Sequence, residues 1–179
     1  MKEKAISFVA AASLGLVVAP AAFAVDDQQG KVTFNGELTA DTCTIDATSL
    51  DQTVQLPKVS TNKLAAKGDA YGSKPFDIKV TNCPATVKKI AAHFEVVNMH
   101  PETRTLTNLE PEATAAKNVT VQLLNADGSV VKVGDEGKYF DVSDSTHDAT
   151  MTYAGQYYAL GATTAGKVTT FTRFTLAYQ

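Results

Sequence analysis

Tryptophan is absent from the sequence, which holds only two cysteines and only three histidines. Without tryptophan, the immunoglobulin signature of an indole packed on the inter-sheet disulfide is missing. Cys43 and Cys83, with His93, His100 and His147 scattered beyond them, make no recognisable zinc-ligand spacing. Neither a metal nor a cofactor is therefore expected. Lysine and arginine number 16 against 19 acidic residues, for a net charge of −3. The positive charge that neutralises phosphates is absent, which excludes nucleic acid as a partner. A membrane span needs roughly 20 apolar residues, whereas the apolar run from Ala5 to Ala19 is shorter and ends at Pro20.

That run follows Lys2 and Lys4 and precedes Ala22-Phe23-Ala24, with small residues where a signal peptidase requires them. A signal peptide over 1–24 is expected, cleaved between Ala24 and Val25. The rival reading, an N-terminal anchor, fits poorly because Asp26, Asp27, Gln28 and Gln29 follow at once. Residues 25–179 have the length of one domain and no expected membrane span. The leader carries Lys2, Glu3 and Lys4, so the remainder is one charge more negative than the whole. An exported protein meets an oxidising compartment, and a Cys43–Cys83 disulfide is expected. Closing that long loop should restrict the unfolded state by about 3–4 kcal/mol in the chain-entropy model.

The apolar residues that are present recur with period two, in short runs rich in Thr, Val, Phe and Tyr. The pattern predicts an all-β protein with strands over Val32–Leu38, Thr53–Leu56, Phe76–Thr81, Ala92–Val97, Val119–Leu124, Val130–Val133, Met151–Leu160 and Val168–Tyr178. Asn125-Ala126-Asp127-Gly128 supplies a hairpin turn between two of them. One helical turn within Asn62–Gly68 is expected in a connection. Residues 98–117, with Pro101 and Pro111 and weak periodicity, read as a long surface crossover. So many short strands imply a two-sheet sandwich with immunoglobulin-like topology as the leading candidate.

No catalytic constellation emerges. There is no Gly-x-Ser-x-Gly elbow, phosphate loop or paired-histidine motif. Alternation places His93 opposite Phe94, on an outer sheet face, and the acidic stretches at Asp135-Glu136 and Asp141–Asp148 read as solvated turns. An enzyme is not expected. Asn118-Val119-Thr120 matches a glycosylation acceptor only formally.

The two ends carry more information. Phe174, Leu176 and Tyr178 alternate with Arg173, Thr175, Ala177 and Gln179, as an edge strand would. Val32, Phe34, Gly36 and Leu38 share one face of a second alternating segment. An unpaired apolar edge is a polymerisation hazard, or the means of assembly where neighbours complete one another's sheets. Pattern alone leaves both open, together with the reading that residues 31–39 close their own domain as a secreted ligand-binding sandwich.

The segment Gly30-Lys31-Val32-Thr33-Phe34-Asn35-Gly36-Glu37-Leu38 before Cys43 belongs to a wider combination. Its other members are Leu50-Asp51-Gln52-Thr53-Val54-Gln55-Leu56, Asn82-Cys83, Tyr157-Tyr158-Ala159, Gly166 and the penultimate Tyr178. Over its whole length the sequence resembles the major pilins of the type 1 fimbrial family, assembled by a chaperone and an usher. Pro57 and the loop around His100 match no motif of that family.

The resemblance implies an incomplete immunoglobulin-like β-sandwich (41–179), lacking its last strand and completed by a donor strand from a neighbouring subunit. It implies that 25–40 is the donor extension and that Val32, Phe34, Gly36 and Leu38 enter the neighbour's groove. Gly166, Phe174, Leu176, Tyr178 and Gln179 would then serve groove and chaperone recognition. The implied partners are identical or related pilins in a homopolymer, a periplasmic chaperone that holds the Gln179 carboxylate, and an outer-membrane usher. The implied destination is a fimbrium at the cell surface, reached through the periplasm, with a role in adhesion. No room remains for an added lectin domain, so a shaft subunit is expected, with a minor adaptor pilin as the alternative.

Overall fold

A computed structural model describes residues 31–36 and 42–179. The protein divides into two units between residues 37 and 38. In the first, residues 31–36 carry no regular secondary structure and are exposed. The strand expected over Val32–Leu38 is thus absent from 32–36, while Leu38, like Ala24 and Val25, lies outside the described residues. Alternation prepares a segment for a sheet, but a strand also needs a ladder to bond to.

The described residues of the second unit form nine strands: β1 (Thr44–Ile45), β2 (Ala70–Thr81), β3 (Lys89–Phe94), β4 (Leu106–Thr107), β5 (Val119–Asn125), β6 (Val130–Val131), β7 (Phe140–Asp141), β8 (Ala149–Ala159) and β9 (Phe174–Tyr178). A four-residue helix, α1 (Ala47–Leu50), is capped by Asp46, whose side chain accepts from the Thr48 amide. A single 3₁₀ turn covers Thr61–Leu64. One sheet runs β1-β2-β8-β5-β4 with β6 also on β5, and the other runs β7-β3-β9. Among the described residues no helix is long and apolar enough to cross a membrane.

The long ladder of β2 against β8 shows how period two makes the core. Phe76, Ile78 and Val80 face Tyr153, Met151 and Ala149 on the inner side, while Asp77 and Thr152 pair outside, joined by a 2.7 Å hydrogen bond. Ile78, Val80, Met151 and Tyr153 are fully buried. Pro75 sits within β2 where only β8 is paired, since β1 reaches no further than Val80. The N–H it lacks is therefore not missed. At the hairpin, Gly128 takes a φ of +83° and its N–H donates to the Asn125 carbonyl, returning the backbone from β5 to β6.

Tyr153 joins the two sheets. From β8 its ring meets Phe94 of β3 edge-on at 5.2 Å and Phe140 of β7 at 5.6 Å between centroids. Its hydroxyl accepts from the Ala92 amide at 2.9 Å and donates to the Lys138 carbonyl at 3.2 Å. In a protein without tryptophan this tyrosine is the largest fully buried side chain among the described residues. The Cys43–Cys83 disulfide is present, with Cα atoms 4.1 Å apart, and staples the entry of β1 to the exit of β2.

Candidate functional site: an open sheet edge

Both sheets belong to the arrangement of an immunoglobulin-like sandwich. Strands β1, β2, β8 and β5 form the continuous run of the larger sheet, and the facing sheet runs β7-β3-β9 and stops at β9. A further strand would lie beside β9. Among the described residues β9 pairs with β3 alone, so its second edge offers unpaired N–H and C=O groups.

The side chains report the same gap. In the β3–β9 register Phe94, Ala92 and Ile90 stand opposite Phe174, Leu176 and Tyr178 and so share one face. The β3 residues are all buried, at 1% exposure or less, whereas the three on β9 are only half-buried against the same core. Leu56 and Val168 are in the same condition. The expected strand over Thr53–Leu56 does not form, although burial still alternates there, with Val54 and Leu56 turned inward. Of these, Leu56 lies against the core with no ladder beside it.

Ahead of β9 lies a cavity of about 520 Å³ lined by Val59, Leu64, Val119, Tyr157, Gly166 and Val168. Burial pushes the Tyr157 phenol above its ordinary value. Val168 packs against both the main core and the smaller cluster of Leu64, Ala116, Val119 and Ala159, and so links the cavity to β9. Gly166 forms part of the wall by close approach. A Cβ there would fall inside the backbone of Ala115 and Ala116, 2.7 Å from Ala116 Cα.

The crossover expected at 98–117 is the brace for this wall, a role that sequence reasoning missed. Residues 164–169 are bonded to 108–117. The Ala116 amide donates to the Lys167 carbonyl, the Lys167 amide to Thr114, and the Leu109 amide to Thr169. Asn108 Nδ2 donates to the carbonyls of Ala116 and Lys167, and its Oδ1 accepts from the Glu110 and Thr169 amides. The turn-forming Asn108-Leu109-Glu110-Pro111 was the available signal.

Glu110 completes the brace. Its two oxygens accept from Thr169 Oγ1 at 2.8 Å and Thr114 Oγ1 at 2.9 Å, and these bonds hold its carboxyl below the usual glutamate range. With the folded value depressed, the contribution is present above the ordinary glutamate pKa and is lost as pH falls through the folded one. Hydrogen exchange corrected for intrinsic rates should show residues 164–169 losing protection on acidification. In Glu110→Gln the same segment should start less protected and respond less to pH. An unchanged pH response in that variant would contradict the brace.

Of the other expected site residues, Gln179 exchanges backbone hydrogen bonds with Lys89 and extends the β9 ladder. Val32 and Phe34 are 75% and 89% exposed. His93 is half-buried beside the buried Phe94, as alternation implied.

A two-sheet immunoglobulin-like fold with one edge left open is the fold of a pilin. The protein belongs to the family described as Fimbrial protein, whose sequence profile matches residues 32–179. It is 39% identical to the F17 fimbrial protein of Escherichia coli, over 93% of this sequence and 96% of that one. It is 32% identical to the type-1 fimbrial protein A chain of Escherichia coli strain K12, over the full length of both. A solved chaperone–usher pilus structure shares the fold with a TM-score of 0.61 at 23% identity, covering 88% of this protein and 100% of that one. The protein is a structural subunit of a surface fimbrium, not an enzyme.

Proposed function

We propose that this subunit polymerises by donating residues 25–40 to the open edge of the next subunit, once residues 1–24 have been removed between Ala24 and Val25. Val32, Phe34, Gly36 and Leu38 enter a groove bordered by Phe174, Leu176 and Tyr178 and by the cavity wall at Gly166. Residues 41–179 form the accepting domain. Before assembly, in the periplasm, a chaperone strand occupies the groove and basic groups hold the Gln179 carboxylate. An outer-membrane usher then exchanges that strand for the donor.

The observation that carries this reading is the half-buried inner face of β9 opposite a fully buried β3. Complementing it are the apolar side chains of Val32 and Phe34, which are exposed within the single subunit. Burying three large side chains at roughly 1.5–3 kcal/mol each, beside a row of main-chain hydrogen bonds, makes a firm joint. Gly36 contributes no side chain and suits a close approach to the groove floor.

The test is deletion of residues 25–39. Detergent-resistant multimers, read on unboiled gels and by size-exclusion chromatography, should disappear. A peptide of residues 25–39 added in trans should bind the deleted variant and stabilise it. If the intact protein is a stable monomer that unfolds on deletion, the domain closes itself and the proposal fails.

A further inference from the structure

Seven asparagines occur in the sequence, and only Asn35 is followed by glycine. Asn35 and Gly36 lie in the exposed stretch without regular secondary structure, and a Cβ at Gly36 would meet nothing within 4 Å. By contrast Asn108, Asn118 and Asn125 have their side chains tied by hydrogen bonds, and a side chain on the following residue crowds each of the other six.

This setting matters chemically. The amide nitrogen of Gly36 can attack Cγ of Asn35, forming a new C–N bond as the bond from Cγ to Nδ2 breaks and ammonia leaves. The five-membered succinimide that results is then opened by water at either of its two carbonyls, giving aspartate or isoaspartate. Attack requires a nitrogen unobstructed by a neighbouring Cβ and a backbone free to leave the extended conformation. Glycine in an exposed irregular segment meets both conditions.

We propose that Asn35–Gly36 is a succinimide-forming deamidation site that ages the unassembled subunit and is shut off by incorporation into the fibre. The second half rests on the donor-strand reading above. An isoaspartate routes the backbone through Cβ and Cγ of residue 35 and adds one backbone atom between Phe34 and Gly36. Because side chains alternate with period two, Val32 and Phe34 can then no longer share a face and register with Gly36 and Leu38. Once the donor is bonded into a neighbour's sheet, its extended ladder holds the Gly36 nitrogen away from Cγ.

Soluble unpolymerised subunit and fibres of the same protein, separated by size, would be incubated side by side at mildly alkaline pH. Tandem mass spectrometry, with fragmentation that separates isoaspartate from aspartate, would follow each asparagine. In the unpolymerised subunit Asn35 should convert at least about tenfold faster than the exposed Asn62, and at least about tenfold faster than in fibres, where only local opening frees it. Aged subunits should lose incorporation in proportion to their isoaspartate, and Asn35→Gln should abolish that loss. Conversion of Asn35 no faster than Asn62 in the unpolymerised subunit overturns the modification site and leaves the donor reading standing. Equally rapid conversion in both forms overturns the proposal through the donor reading itself.

Discussion

Replacing Tyr153 with alanine is expected to lower the unfolding free energy of the subunit by about 3–5 kcal/mol, the range for truncating a large buried aromatic. That is a large share of the roughly 5–15 kcal/mol that holds a typical domain together. The ring is completely buried, and it touches Phe76 and Phe94 and Phe140 from strands of both sheets. Its removal therefore opens a cavity at the sheet-to-sheet contact. Tyr153→Phe separates the two roles. It keeps the ring but leaves the Ala92 amide and the Lys138 carbonyl without their partner, at a cost of about 1–3 kcal/mol.

Urea unfolding would measure both variants, with a shift in midpoint at constant slope identifying lost stability. A Tyr153→Ala midpoint equal to that of the parent would refute the assignment. The same residue sets an alkaline limit. Burial raises the phenol above its ordinary value, so the stability it supplies is complete below that value and drains away as pH rises through the folded pKa.

How much of this was legible beforehand depended on whether a strand owes its position to its own pattern or to its partner. Strands β5 and β8 and the turn at Gly128 follow from long runs of β-forming residues and from one dipeptide, although β5 is buried on both faces at every position but Gln122. The inward set of Phe174, Leu176 and Tyr178 was readable from alternation. Boundaries were not. Strand β9 begins at Phe174 rather than Val168, since Lys167 and Thr169 give their backbone bonds to Thr114, Ala116 and Leu109.

Strand β3 runs Lys89–Phe94 rather than Ala92–Val97. Its end is set by Gly134 and Asp135, which take the Phe94 carbonyl and amide, and by the left-handed φ of 54° at Asn98. Strands β1, β4 and β7 have two residues each, too few to show any period. Thr53–Leu56 and 32–36 make the complementary point. Alternation records which side of a segment is apolar, and a sequence can carry that pattern for a ladder its own fold does not supply.

Gly166→Ala should impair assembly far more than it impairs folding. The added methyl collides with the backbone of Ala115 and Ala116 rather than with a side chain that could swing aside. The contact can be relieved only by parting the parallel bridge between Ala115 and Lys167, together with the bonds from the Ala116 and Lys167 amides. Over-packing of this kind costs typically about 1–3 kcal/mol. Here it falls on the wall of the cavity ahead of β9 and not on the β2–β8 core.

If that wall accepts the donor, a penalty of about 1–3 kcal/mol transferred to binding corresponds to roughly a 5- to 150-fold loss of affinity. The measurement is the affinity of a peptide of residues 25–39 for the deleted variant, with and without Gly166→Ala, beside the unfolding midpoint of each. Gly161→Ala is the control, because a Cβ there comes no closer than 3.9 Å to any neighbour. Equal affinity for parent and Gly166→Ala would mean that the wall yields freely, and the cavity would then have no part in joining one subunit to the next.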